Sequence, residues 1–208
     1  MQQPSHHPRK KLLNPIIWIG LISVLPIVLA YVIYTNQQLL PERTSNQGYL
    51  LRPGVHLDVM GDAWLNPDQK WLLLTFVTES SCDADCLQLL EKQMYRMRQV
   101  QIAMNRNSDR MERHVLMADE RLLSALNTQL KAYPYMQVHP LDITPWQQML
   151  GNYPGFSENY AYKNDGLGSY IFVVDPRNYI VAFYHHQQHS GKNMIRDLTK
   201  LLRYSQIG

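Results

Sequence analysis

Charge is scarce in this sequence. Asp, Glu, Lys and Arg make up 18% of its 208 residues, against about 25% in ordinary soluble domains. The net charge is +3, but apart from Arg9, Lys10 and Lys11 the cations are scattered, and none interleave with aromatics on a basic face. That excludes nucleic acid as a partner. Cysteine is nearly absent, with Cys82 and Cys86 alone. No Gly-x-Gly-x-x-Gly, Walker loop, His-Glu-x-x-His or Gly-x-Ser-x-Gly occurs, which removes dinucleotide, nucleotide, zinc-protease and nucleophile-elbow chemistry. Asp165-Gly166-Leu167-Gly168 is a turn with no helix behind it, not a phosphate cradle. Repeats and low-complexity tracts are missing too, beyond the short His185–Ser190 stretch HHQQHS.

What is present begins with one long apolar run. Pro15 to Tyr34, PIIWIGLISVLPIVLAYVIY, holds no charge and is long enough for a helix to cross a hydrocarbon core of roughly 30 Å. A signal-peptide core is shorter and ends at a small-x-small cleavage site, whereas this run ends in Tyr31, Val32, Ile33 and Tyr34. Trp18, Tyr31 and Tyr34 sit near its ends, where amphipathic rings favour the interface. Arg9, Lys10 and Lys11 precede it, and the stretch beyond it as far as Trp64 carries only Arg43 and Arg52 as cations. The expectation is a single-pass anchor over 15–34 with residues 1–14 cytoplasmic and the remainder exported. In a bacterium that is the inner membrane and periplasm, with the lipid bilayer as a partner. An oxidising compartment then favours reading the two cysteines as a pair.

Residues 35–47 are polar and contain a proline, as in a linker. From 48 to 208 the chain is long enough for one domain with its own core. Trp71 to Thr78, WLLLTFVT, is a strand buried on both faces. Ser80 and Ser81 follow as helix caps, with Leu87, Leu90, Met94 and Met97 at helical spacing. His114–Met117, Met136–Leu141, Ser169–Val174 and Tyr179–Tyr184 read as further strands. Helices are expected over Glu120–Lys131, from near Thr144 where Pro145 suits the first turn, and over Met194–Leu202. Asp175-Pro176-Arg177-Asn178 is hairpin chemistry. Helices between strands imply parallel crossovers, and the hairpin adds an antiparallel edge. This order, an α/β class, is that of a thioredoxin-like fold.

Cys82-Asp83-Ala84-Asp85-Cys86 falls between the first buried strand and the first long helix. Residues four apart in a helix share a face with α-carbons roughly 6 Å apart, within disulfide reach. A helix N-terminus favours a thiolate, a nucleophile and a ligand for soft metals; Asp83 and Asp85 oppose it. A redox or metal role and a static staple both remain open.

A Cys-x-x-x-Cys at a strand-to-helix turn, behind one anchor and ahead of Val173-Val174-Asp175-Pro176, resembles the Sco/SenC family over most of residues 48–208. Arg98 to Met117 also resembles a proteobacterial subgroup of membrane proteins associated with cytochrome oxidase. The resemblance implies an accessory factor rather than a turnover enzyme, acting on cytochrome c oxidase subunits or assembly factors. It would work by thiol–disulfide exchange or Cu(I) handling, with Cys82 and Cys86 as redox pair and copper ligands. An interaction protein with only a stapling disulfide is the alternative. Three features depart from the family. Asp83 and Leu87 stand where prolines usually follow the cysteines. Leu167 falls where a distal copper-binding histidine is kept. No proline precedes the strand at Ser169. His185, His186 and His189 are the remaining imidazoles that could reach such a site, from what reads as a solvated loop. His56, His114 and His139 have no partners at metal-ligand spacing and read as packed or surface residues.

Overall fold

The computed structural model describes residues 15–35, 46–61, 66–78, 83–153, 156 and 166–205. The chain divides into two compact units, Met1–Ser45 and Asn46–Gly208. In the first, Pro15–Thr35 forms helix α1, with Pro26 inside it. Ser23 Oγ donates to the Ile19 carbonyl at 2.9 Å and Thr35 Oγ1 to that of Tyr31 at 3.0 Å. Large apolar side chains such as Trp18, Ile27 and Tyr31 lie exposed. The side chains of residues 15–17 and 34 fall outside the described ones, and among the described residues no helix is long and apolar enough to cross a membrane.

The second unit runs β1 (Tyr49–His56), β2 (Trp71–Val77), α2 (Ala84–Ala103), β3 (Met111–Met117), α3 (Leu122–Leu130), β4 (Met136–Pro140), α4 (Thr144–Gly151), β5 (Tyr170–Val174), β6 (Tyr179–His185) and α5 (Gly191–Tyr204). Short 3₁₀ turns occupy Leu57–Met60, Asn105–Arg110 and Leu167–Ser169. Six strands form one sheet in the order β1-β6-β5-β2-β3-β4. Strands β2, β3 and β4 are parallel, joined through α2 and α3. Strand β5 runs antiparallel between β2 and β6. The mixed α/β, thioredoxin-like order expected from the sequence is present.

Two expectations need correction. The β5–β6 hairpin is not the sheet edge, because β1 adds antiparallel to β6 through pairs such as Leu50↔Ala182 and Val55↔Ile180. Strand β1, YLLRPGVH, escapes the sequence pattern since Pro53 and Gly54 interrupt it, and its register shifts between Leu50 and Val55 to absorb them. Helix α2 is capped by Asp83, not by a serine; Ser80 and Ser81 lie outside the described residues.

Every residue of β2 is buried, as a strand covered by helices on both faces must be. On one face Leu73 packs with Met94, Met97 and Val100 of α2 and with Met194 and Leu198 of α5. The methionines at helical spacing are thus core filling. On the other face Leu72, Leu74 and Phe76 meet Trp146 and Leu150 of α4, with the Trp146 ring edge-on to Phe76 at 4.9 Å. Two local devices hold the frame. Asp175 Oδ1 accepts from the amides of Arg177 (2.9 Å) and Tyr179 (2.8 Å), closing the hairpin while Asn178 takes the left-handed conformation, φ 67°. Buried Asp197 of α5 accepts from the Gln47 amide (2.7 Å), the Gly48 amide (2.8 Å) and Tyr184 Oη (3.2 Å), tying the start of β1 to the closing helix.

Candidate thiol–disulfide site

Cys86 follows the C-terminal end of strand β2, the usual location of sites in open α/β sheets. Asp83 is in extended conformation (φ −74°, ψ −174°) and caps α2. Its Oδ1 accepts the amide of Cys86 at 2.9 Å, and its carbonyl accepts the amide of Leu87 at 3.0 Å. Cys86 therefore occupies the first turn of α2, half-buried, as expected. It is disulfide-bonded. The only other cysteine of the chain, Cys82, lies outside the described residues.

A cleft of about 270 Å³ opens beside Cys86, walled by Val77, Thr78, Asp83, Asp85, Leu90 and Gly168 among others. Gly168 belongs to the turn that replaces the proline of ordinary thioredoxins. A side chain there would bring its Cβ within 3.1 Å of the Phe76 carbonyl, so glycine lets this turn lie flat against β2. Gly166 adopts φ 63°, a conformation that favours glycine. Between them Leu167 is completely buried in the aromatic core with Phe156 and Phe172, and it contributes nothing to the cleft wall. Gln93 of α2, 1% exposed, donates weakly to the Gly168 carbonyl at 3.5 Å.

The electrostatics at Cys86 pull in opposite directions. The helix N-terminus would stabilise a thiolate, but Asp83 has already occupied it and Asp85 adds a second carboxylate in the first turn. Both oppose thiolate formation in the reduced pair. Copper fits this site poorly beyond the two sulfurs. The position where the resemblance places a third ligand holds an apolar, buried side chain. Among the described residues no histidine lines the cleft, and no group of three or more His, Cys, Asp or Glu is arranged to hold a metal.

The histidines at the end of β6 and just beyond it are not a solvated loop. His185 is 3% exposed and His189 6%. The His185 ring sits edge-on to Tyr170 at 5.0 Å, and that of His189 edge-on to Tyr49 at 4.7 Å. His189 Nδ1 accepts the His185 amide at 3.0 Å. The segment is packed because His186 continues the ladder, donating its amide to the Ser169 carbonyl at 3.0 Å. Sequence spacing also hid a contact between His114 and His139. Strands β3 and β4 bring His114 Nδ1 within 3.2 Å of His139 Nε2, while His114 Nε2 faces Glu112 Oε2 at 3.4 Å. Glu112 in turn accepts from Lys70 at 2.9 Å. Burial, reinforced by His139, lowers His114 to about 4.

Residues 71–205 match the family described as the transmembrane-like, thioredoxin-like, C-terminal domain. The chain belongs to this family. The match begins at β2 and ends with α5, so it includes the end of β2, the first turns of α2 and Gly168, which wall the cleft, as well as the closing helix. Solved structures to which the chain is similar include the following three. One is copper-bound ScoI of Bradyrhizobium japonicum, with 15% identity over 63% of this chain and 84% of that one, TM-score 0.39. Another is a SCO1/SenC family lipoprotein of Bacillus anthracis str. Ames, with 10% identity over 64% and 82%, TM-score 0.43. The third is a thiol:disulfide interchange protein from Bacteroides sp., with 17% identity over 74% and 86%, TM-score 0.37. None superposes closely enough to speak for the chemistry of this chain. No curated protein matches it.

Proposed function

We propose that this chain is a membrane-anchored accessory protein for assembly of a respiratory cytochrome c oxidase. It acts from the periplasmic face by thiol–disulfide exchange at Cys82 and Cys86. The observation that carries the reading is the position of Cys86: disulfide-bonded, half-buried, in the first turn of α2, and open to a cleft large enough for a partner's cysteine side chain. In the reduced protein one cysteine thiolate attacks a partner disulfide, displacing a partner thiolate that takes up a proton. The second cysteine then attacks the mixed disulfide and releases the partner as a dithiol. Two electrons pass from the pair to the partner, and the Cys82–Cys86 bond re-forms. Transient Cu(I) handling through the same two sulfurs is the alternative chemistry open to the pair, since soft thiolates select that ion.

The anchor belongs to this reading. An uncharged 21-residue helix preceded by Arg9, Lys10 and Lys11 would hold the domain against the membrane that contains the oxidase. The capping of α2 by Asp83 favours the second reading, a docking protein whose disulfide is a staple, because a carboxylate on the cysteine turn disfavours the attacking thiolate. Trapping separates the two. In membranes, a chain with Cys86→Ser or Cys82→Ser should accumulate a mixed disulfide with an oxidase subunit or assembly factor, seen as a reducible adduct. If neither variant gives an adduct while oxidase assembly stays normal in the double variant, exchange is excluded and docking remains.

A further inference from the structure

At the opposite end of the sheet from Cys86, a cavity of about 460 Å³ lies between the C-terminal half of α2, the 3₁₀ turn Asn105–Arg110, the start of β3 and the approach to β4. Arg113 and Arg98 line it together with Asn105, Ser108, Asp109 and Tyr135. Arg113 is 4% exposed. Its Nη2 donates to the Pro134 carbonyl at 2.7 Å, but Nε and Nη1 have no partner among the described residues. No carboxylate forms an ion pair with either arginine among the described residues. Asp109, on the same wall, is exposed, accepts a long hydrogen bond from Ser108 Oγ at 3.5 Å and interacts electrostatically with Lys70.

A guanidinium keeps its charge at any physiological pH and offers five donors. Taking it out of water without an anion is costly, and a second arginine on the same cavity adds repulsion rather than relief. Burial and Arg98 both lower the Arg113 ionisation from its ordinary value. A core position this unfavourable calls for a counter-charge, and the cavity supplies room for one with hydroxyl and amide groups around it. We propose that this cavity is an oxyanion site, in which Arg113 and Arg98 hold the phosphate or carboxylate group of a small molecule. The ligand class follows from the donors: planar guanidinium nitrogens match the oxygens of phosphate and carboxylate. Because the cavity stands at the far end of the sheet from Cys86, its ligand does not share the cleft of the thiol site.

The test uses the full chain in an uncharged detergent. Inorganic phosphate and succinate are titrated calorimetrically at ionic strength matched with sodium chloride, and thermal unfolding is followed in parallel. One or both should bind saturably and raise the melting temperature beyond the chloride control; which one does so identifies the oxyanion. Arg113→Met should abolish binding, and Arg98→Gln, at a half-buried position, should weaken it about ten-fold or more, the scale of a lost charge-assisted hydrogen bond. If Arg113→Met does not fold, Arg98→Gln decides alone. Wild-type protein that binds neither ion beyond chloride overturns the proposal. So does binding that Arg98→Gln leaves unchanged, since the ion would then sit elsewhere.

Discussion

Acid should unfold this domain partly through His114. The ring is 1% exposed, stacked on His139 with centroids 5.2 Å apart, and lowered from 6.5 to about 4. A neutral His114 carrying its proton on Nε2 faces Glu112 and accepts at Nδ1 from His139. A second proton on Nδ1 would confront His139. In the unfolded chain the ring titrates near its ordinary value, so between about pH 6.5 and 4 the unfolded state binds more protons and stability falls as the pH drops. The full shift corresponds to about 3 kcal/mol at roughly 1.4 kcal/mol per unit, a large part of the 5–15 kcal/mol typical of a domain. His139 is lowered by burial as well and adds to the slope in the same direction. The assay is urea unfolding followed by tryptophan fluorescence, from pH 7.5 to 4.5 at constant ionic strength, for wild type and His114→Gln. Wild type should lose stability steeply below pH 6.5, and the variant should lose markedly less, so that the two curves converge in acid. Parallel curves across that window would refute the account of His114.

Asp83→Ala removes the cap of α2 and should cost about 1 kcal/mol in thermal or urea unfolding; alkylation of the reduced chain at neutral pH should become faster, because the carboxylate no longer opposes a thiolate. An unchanged alkylation rate would show that Asp83 does not act on the cysteines. Asp197→Ala leaves the Gln47 and Gly48 amides and Tyr184 Oη without their acceptor, and should destabilise the domain by about 2–4 kcal/mol; a loss under about 1 kcal/mol would mean the clamp on β1 is not needed. Trp146→Ala empties a fully buried site against Phe76 and should cost about 3–5 kcal/mol, read as a lowered urea midpoint. A reporter active only in the periplasm, fused after Gly208, should be active, and activity of a cytoplasm-only reporter there would contradict the orientation.

Much of the frame was legible because burial imposes simple patterns. The short apolar run Trp71–Val77, rich in β-formers, fits a strand covered on both sides, and Leu90, Met94 and Met97 have the spacing of one helix face. Strand β1 was not legible, since Pro53 and Gly54 break its alternation and its stability comes from pairing with β6, a contact distant in sequence. The same limit hid the His114–His139 pair, which exists because β3 and β4 run side by side with Leu116 opposite His139. The position of Cys86 could be read from the strand-to-helix turn. The burial of Leu167, His185 and His189 could not, because it depends on how the 167–169 turn and the end of β6 lock together. Arg113 gave no signal at all: its strand reads as β-structure, and only the folded chain shows a buried cation facing a cavity.

The central claim, that Cys82 and Cys86 are a working redox pair, is tested most directly by its reduction potential. Full-length chain in detergent is equilibrated with graded ratios of reduced and oxidised dithiothreitol at pH 7, and free thiols are counted after quenching. A working pair beside an open cleft should titrate as a single two-electron couple well above roughly −300 mV. A potential at or below roughly −300 mV, the range of structural disulfides, would contradict the exchange function and leave the pair as a staple.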